Sequence, residues 1–288
     1  MKPPKHLQNF LSLVKFSHTV FALPFAIIGY FLAISQENAG KVEWKLFIFV
    51  VLCMVFARNA AMSFNRYADR HIDSQNPRTS GSEIPSGVIK PQAVLLFLVI
   101  NSILFIATTY FINELVFVLS PIALIVVLGY SYTKRFTALS HFILGLGLSL
   151  APIGAYLSVT ARFDLLPIVF SIIVLFWVSG FDIIYSLQDE IFDKEQRLHS
   201  IPARFGKKKA LQFSSFLHTN CAVLILFAGI IAHFGIMYWI GSAVFVFLLL
   251  YQHLIIKPDD LSRVDAIFFT TNGIASLVFA FFVVIELL

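Results

Sequence analysis

Composition, the length of the apolar segments and the distribution of basic residues point to an all-α, polytopic membrane protein. Of its 288 residues, 58% are hydrophobic and 13% charged, against roughly a quarter charged in an ordinary soluble domain. Apolar stretches approach the roughly 20 residues that a bilayer-spanning helix needs. Basic residues concentrate in alternate loops, as the positive-inside rule requires of spanning helices.

In chain order, the N-terminal MKPPKHLQNFLSLVKF is basic and faintly amphipathic. The apolar run behind it lacks a small-residue cleavage site, so this segment reads as lying along the membrane surface and not as a removable signal peptide. Nine apolar segments follow: Thr19 to Ile34, Leu46 to Phe64, Ala93 to Phe111, Leu115 to Tyr130, Leu139 to Val159, Leu165 to Ile184, Leu211 to Ala232, Ile236 to Ile256 and Ala266 to Leu287. An odd number puts the termini on opposite sides. With the N-terminus inside, 18 of the 21 basic residues fall on inner segments, leaving Lys41, Lys45 and Arg162 outside. The net charge of +5 then reflects topology and whatever the inner loops bind, and it does not imply nucleic acid. Cys53 and Cys221 lie in apolar stretches without metal or redox spacing and read as packing residues.

Two inner loops, Asn65 to Lys90 and Asp182 to Lys209, are long and carry charges of both signs, so chemistry is expected on the inner face. The first opens with NRYADRHID, in which Asn65, Asp69 and Asp73 recur every four residues and share one helical face. The second opens with DIIYSLQDEIFD, where Asp182, Tyr185, Asp189 and Asp193 also share a face. Asn65, Asp69 and Asp73 are matched by Tyr185, Asp189 and Asp193 at an offset of 120. That points to an internal repeat within one membrane-embedded domain spanning residues 1–288, with two acidic clusters facing each other across a cavity. Ionisable residues where a helix meets the membrane surface are costly unless paired or hydrated, which marks them as functional candidates. Stacked carboxylates repel one another, so the arrangement makes sense with a hard cation between them. Magnesium fits, since it bridges one or two carboxylates to substrate phosphates. The bland alternative is solvated acids paired with Arg66, Arg70 and Lys194.

Other residues join this chemistry less directly. Lys134 and Arg135 in YSYTKRFT, and Arg78 in NPRTSGSEIPSG, are candidates for contacting a diphosphate. Arg58 lies seven residues before Asn65, within an apolar span, and needs an anionic partner: a motif aspartate or an acceptor carboxylate. Gly145, Gly147, Pro152 and Gly154 permit close helix packing or a tunnel for an apolar tail. The eight histidines show no ligand spacing and read as packing or interfacial residues.

These motifs resemble those of the UbiA-type intramembrane aromatic prenyltransferases: N-x-x-x-D-x-x-x-D at Asn65, Asp69 and Asp73, Y-x-x-x-K-R at Tyr130, Lys134 and Arg135, and D-x-x-Y-x-x-x-D at Asp182, Tyr185 and Asp189. NPRT…EIPSG, YSYTKRFT and LAPIGAYLSVT look most like the 4-hydroxybenzoate polyprenyltransferase branch, including its relatives in menaquinone synthesis that prenylate a naphthoate. The resemblance implies nine transmembrane helices around a central cavity, cytoplasmic caps from the loops after helices 2 and 6, Mg2+ dependence, and a place in a bacterial inner membrane. It also implies that Arg58 holds the acceptor carboxylate. Ser82 departs from the pattern, standing where a basic residue is expected.

The resulting expectation is C-prenylation of an aromatic acid by a polyprenyl diphosphate in quinone biosynthesis. Asp69, Asp73, Asp189 and Asp193 hold metal, Arg78, Lys134 and Arg135 neutralise the diphosphate, Asn65 and Tyr185 orient the site, and Asp182 supports Tyr185 or the acceptor. A secondary transporter is the alternative from another class.

Overall fold

The computed structural model describes residues 9–10, 12–14, 21–37 and 41–288. Most of the basic N-terminal segment, including Lys2, Lys5 and Lys15, and the start of the first apolar segment lie outside these residues. Long helices follow the hydropathy closely: α1 Leu23–Glu37, α2 Trp44–Asp73, α3 Pro91–Tyr110, α4 Glu114–Thr133, α5 Ser140–Thr160, α6 Leu165–Ser186, α7 Lys207–Ile231, α8 Ile236–Ile255 and α9 Asn272–Leu287. Among the described residues, the eight from α2 to α9 are long and apolar enough to cross a bilayer, counting the helical residues that extend α6 and precede α9. The described part of α1 is 15 residues long.

Local chemistry sets several boundaries. Pro91 opens α3 at a position where its missing N–H costs nothing. Asn113 caps α4 by accepting from the Val116 N–H, and Asp164 caps α6 by accepting from the Leu165 N–H. Asn113 also donates from Nδ2 to the Leu157 and Ser158 carbonyls at 2.9 and 3.2 Å, tying the start of α4 to the end of α5.

Consecutive helices pack against each other, and α9 closes the arrangement by packing on α1, which also packs on α5. The main core surrounds α6, where Phe170, Ile173, Val174, Trp177 and Val178 are buried against α1, α7, α8 and α9. α2 is inverted relative to a soluble amphipathic helix. Only five of its 30 residues are buried, and two of these are Asp69 and Asp73. Outward-facing Ile103, Ile125, Leu254 and Phe281 form the apolar exterior expected of lipid-facing helices.

The glycine series divides between the two uses open to it. A Cβ on Gly145 would lie 2.6 Å from the Leu175 carbonyl oxygen, so glycine is what lets α5 approach α6. At Gly154 a Cβ would meet nothing within 4 Å, and Gly147 and Gly154 instead line a cavity.

Two differences from the sequence expectation bear on the site. Asn65 to Asp73, read as the start of a loop, is the last part of a continuous α2. The second acidic motif does not lie on one unbroken helical face. α6 ends at Ser186, a 3-10 turn covers Leu187–Asp189, and Asp193 sits on the short helix Glu190–Glu195.

Candidate active site

Three polar segments separated in sequence meet at one end of the bundle: the end of α2 with its following loop, the turn after α4, and the residues after α6. His199 N donates to the Lys134 carbonyl at 2.6 Å, joining the second and third. Together they enclose a cavity of about 310 Å³, lined by Arg58, Asn65, Asp69, Asp73, Arg78, Lys134, Asp182, Tyr185, Asp189 and Asp193. Every site residue singled out from the sequence is on this wall except Arg135, which reaches the Asp69 carboxylate at 3.0 Å.

Each motif carboxylate has a partner. Asp69, nearly buried, accepts from Lys134 Nζ at 2.7 Å and Arg135 Nη2 at 3.0 Å, and from Asn65 Nδ2 at 3.2 Å. Arg135 is steadied by donating to the Ala68 carbonyl at 2.7 Å. Asp73 faces Arg66 Nη1 at 3.5 Å. Asp189 is gripped by Arg78 at two points: Nε donates to Oδ1 at 3.0 Å and Nη2 to Oδ2. Arg78 Nη1 also donates to the Tyr185 hydroxyl at 2.8 Å. Burial works against the Arg78 charge, but the hydrogen bonds and charge of Asp189 outweigh it and hold the guanidinium pKa above its ordinary value. This planar grip joins the loop after α2 to the loop after α6. Asp193 accepts from Ser200 Oγ at 2.7 Å.

The pairing proposed as the bland alternative is realised only for Arg66. Lys194 pairs with Glu190 at 2.6 Å, one turn away on its own short helix. Arg70 donates to the Tyr67 carbonyl and stacks on the Tyr67 ring. The cations on Asp69 and Asp189 are instead those read from the sequence as diphosphate contacts.

Arg66, named from the sequence only as a partner for the acids, also lines the cavity, and its buried Nε has no hydrogen-bond partner. Asn76, Ser200 and His141 were not singled out for the site. Asn76 Nδ2 donates to Asp189 at 3.1 Å without lining the cavity itself. Ser200 holds Asp193 and also caps the helix Ile201–Phe205. His141, grouped with the packing histidines, lines the cavity at 2.7 Å from Asp182. Because His141 Nε2 accepts the Ile201 N–H at 3.3 Å, the ring proton belongs on Nδ1, from which it donates to Asp182. Asp182 is therefore engaged by His141. The N-cap pattern before Ile201 was the available sequence signal for Ser200; Asn76 and His141 depend on partners 113 and 41 residues away in the chain.

A second cavity of about 360 Å³ adjoins the first. Arg58, Met62, Tyr130, Leu144 and Leu148 line both, so the two are contiguous. Apart from these the second is walled mainly by apolar residues of α2 to α5, including Cys53, Phe105, Ala123 and Val127. A charged chamber thus lies beside an apolar one of similar size, with Arg58 and Tyr130 on the wall they share.

The acidic chamber fits magnesium. Its donors are hard carboxylate oxygens, and the partnerless Arg66 Nε beside them is suited to an anion. Among the described residues no three carboxylate or imidazole groups stand ready to enclose a metal.

Comparison with known proteins agrees with this architecture. The chain is 30% identical to a 4-hydroxybenzoate octaprenyltransferase of Aliivibrio fischeri, over 83% of this chain and 84% of that protein. It superposes on the apo structure of a UbiA homolog from Aeropyrum pernix K1 with a TM-score of 0.84 at 26% identity, covering 94% of this chain and 98% of the other. A UbiA homolog from Archaeoglobus fulgidus, solved with GPP and Mg2+, shares the fold with a TM-score of 0.77 at 21% identity, covering 97% and 99%. With residues 22–279 matching the UbiA prenyltransferase family, the chain belongs to that family.

Proposed function

We propose that this protein transfers a polyprenyl group from its diphosphate to a ring carbon of an aromatic acid, with 4-hydroxybenzoate as the acceptor and quinone biosynthesis as the setting. One observation carries the reading: acidic residues from two distant parts of the chain, with Arg66, Arg78 and Lys134 paired to them, line one chamber, and an apolar cavity adjoins it along a shared wall. The diphosphate belongs in the chamber and the prenyl tail in the apolar cavity. The 4-hydroxybenzoate octaprenyltransferase relatives support the choice of acceptor.

Asp69, Asp73, Asp189 and Asp193 would hold magnesium, which when bound offsets the charge of the diphosphate and makes it a better leaving group. Lys134, Arg135 and Arg78, each on a carboxylate in this structure, turn to the diphosphate oxygens, and Arg66 adds a further positive charge. The allylic C–O bond breaks with its electron pair going to the diphosphate. The acceptor carbon ortho to the hydroxyl then bonds to the allylic carbon, and the ring proton leaves. Arg58, at the junction of the chambers, holds the acceptor carboxylate with its planar fork. Asn65 keeps Asp69 oriented, Tyr185 does so for Arg78, and His141 fixes Asp182 toward the acceptor side.

In the membrane, α1 makes a ninth crossing, and the polar end faces the cytoplasm of a bacterial inner membrane, in keeping with the distribution of basic residues. The segments 74–90 and 187–206 form the caps. The matched motifs at the ends of α2 and α6 support an internal repeat within one domain. Acids grouped at one end of the bundle speak against the transporter alternative, whose sites lie near the midplane.

The test is a membrane assay with a long-chain prenyl diphosphate and a panel of aromatic acids, read by mass spectrometry. Prenylated 4-hydroxybenzoate that disappears with a chelator is expected. Prenylated naphthoate alone would change the acceptor, and solute uptake without any prenylated product would overturn the assignment.

A further inference from the structure

The wall of the charged chamber includes an aromatic face that neither metal nor diphosphate binding explains. Phe268 lies against Tyr185 with ring centroids 4.2 Å apart at 32°, and meets the edges or faces of Phe181 at 5.3 Å and Phe21 at 5.4 Å. All four rings line the chamber that holds the motif aspartates.

Phe268 is brought there by a break in helical register. Residues Ile267–Thr271 form a π turn leading into α9. Such a turn takes in one residue more than an α turn, so residues before it are rotated by about 100° relative to an unbroken helix. Asn272 closes the turn from both its backbone and its side chain: its N–H donates to the Ile267 carbonyl, and Nδ2 lies 3.4 and 3.3 Å from the Ile267 and Phe268 carbonyls. Asn272 is completely buried. Its Oδ1 in turn accepts from Trp177 Nε1 at 3.2 Å and Gln252 Nε2 at 3.1 Å. A polar network drawn from α6, α8 and α9 thus holds open a distortion that an all-apolar helix would not keep, and the side chain it presents to the chamber is Phe268. π turns recur at functional sites because they re-aim a side chain at the cost of regular hydrogen bonding.

We propose that Phe268 is the ring against which the allylic cation forms, its face stabilising positive charge on the reacting carbons, and that Asn272 is the positioning residue that sets it there through the π turn. A ring face attracts a cation within about 6 Å of its centroid. Placed beside Tyr185, the face is next to the departing diphosphate, where water would otherwise capture the cation. This inference rests on the prenyl-transfer reading.

The experiment replaces Phe268 with mono-, di- and trifluorinated phenylalanine, which keep ring shape while draining its face of negative potential. kcat is expected to fall stepwise, by roughly tenfold across the series, with the donor KM within about twofold. Phe268→Leu should match the trifluorinated protein. Asn272→Ala should lower kcat by a similar factor, and Phe268→Leu with Asn272→Ala should fall no further than Phe268→Leu alone, because both remove one interaction. A flat kcat across the fluorinated series, in a protein whose wild-type form makes prenylated product, overturns the role of the ring. Additive losses in the double variant overturn the role of Asn272. A wild-type protein that forms no prenylated product refutes the prenyl-transfer reading and this inference with it.

Discussion

Asp69→Asn tests whether the basic residues of the chamber wait on its carboxylates until a diphosphate arrives. The Asp69 side chain is 4% exposed, while its partners Lys134 and Arg135 are 32% and 31% exposed. Removing one charge from a buried pair costs about 3–5 kcal/mol, against about 0–1 for an exposed pair. Cations a third open to solvent can rehydrate, and Arg135 keeps its bond to the Ala68 carbonyl. The expected loss of stability is therefore about 1–2 kcal/mol. The two released cations then lose their nearest counter-charge, with only the more distant Asp73 and Asp193 still acting on Lys134. A pyrophosphate between them gains about 4 kcal/mol per charge pair before desolvation, at an effective dielectric near 20. Most of that is lost to dehydration, leaving roughly 1.4 kcal/mol, or tenfold tighter binding of metal-free pyrophosphate, even as prenyl transfer collapses. Calorimetry and thermal unfolding in detergent with chelator would show both effects. If Asp69→Asn binds metal-free pyrophosphate no better than wild type, the cations are not held in reserve by Asp69 and the exchange of partners is wrong.

Asp189→Ala and Asp193→Ala should each lower product formation by roughly a hundredfold or more, and chelation should abolish it in the wild type, measured by mass spectrometry of the prenylated acid. Arg58→Ala should raise the acceptor KM by about ten- to a hundredfold while the donor KM changes only a few-fold, separable by steady-state kinetics with each substrate varied. Gly145→Ala places a Cβ 2.6 Å from a backbone oxygen of α6 and should destabilise by about 1–2 kcal/mol. Gly154→Ala, which meets open space, should be neutral or slightly stabilising in the same thermal unfolding assay.

Much of the site was legible in the sequence because its signals are local. Asn65, Asp69 and Asp73 share a face by the helical period alone, and α2 carries them to the chamber as that period requires. The second motif obeyed the same spacing but not the same geometry. The chain switches to a 3-10 turn at Leu187–Asp189, and Asp189 is brought to the chamber wall by that turn and its grip from Arg78. The histidines show the limit of spacing as evidence. His141 has no ligand-like neighbour in sequence, yet it lies 2.7 Å from a carboxylate 41 residues away.

Hydropathy and helical periodicity act over one segment at a time, so the amino-acid order is enough to show that the chain crosses a membrane many times, which end of the bundle carries charge, and which acidic residues belong together. The pairing of Asp69 with Lys134 and Arg135, the grip of Arg78 on Asp189, the contact of His141 with Asp182 and the placing of Phe268 beside Tyr185 come from the packed helices alone. Each of these needs groups 41 to 111 residues apart in the chain to meet, and which cation reaches which carboxylate depends on distances that exist only once the helices have packed.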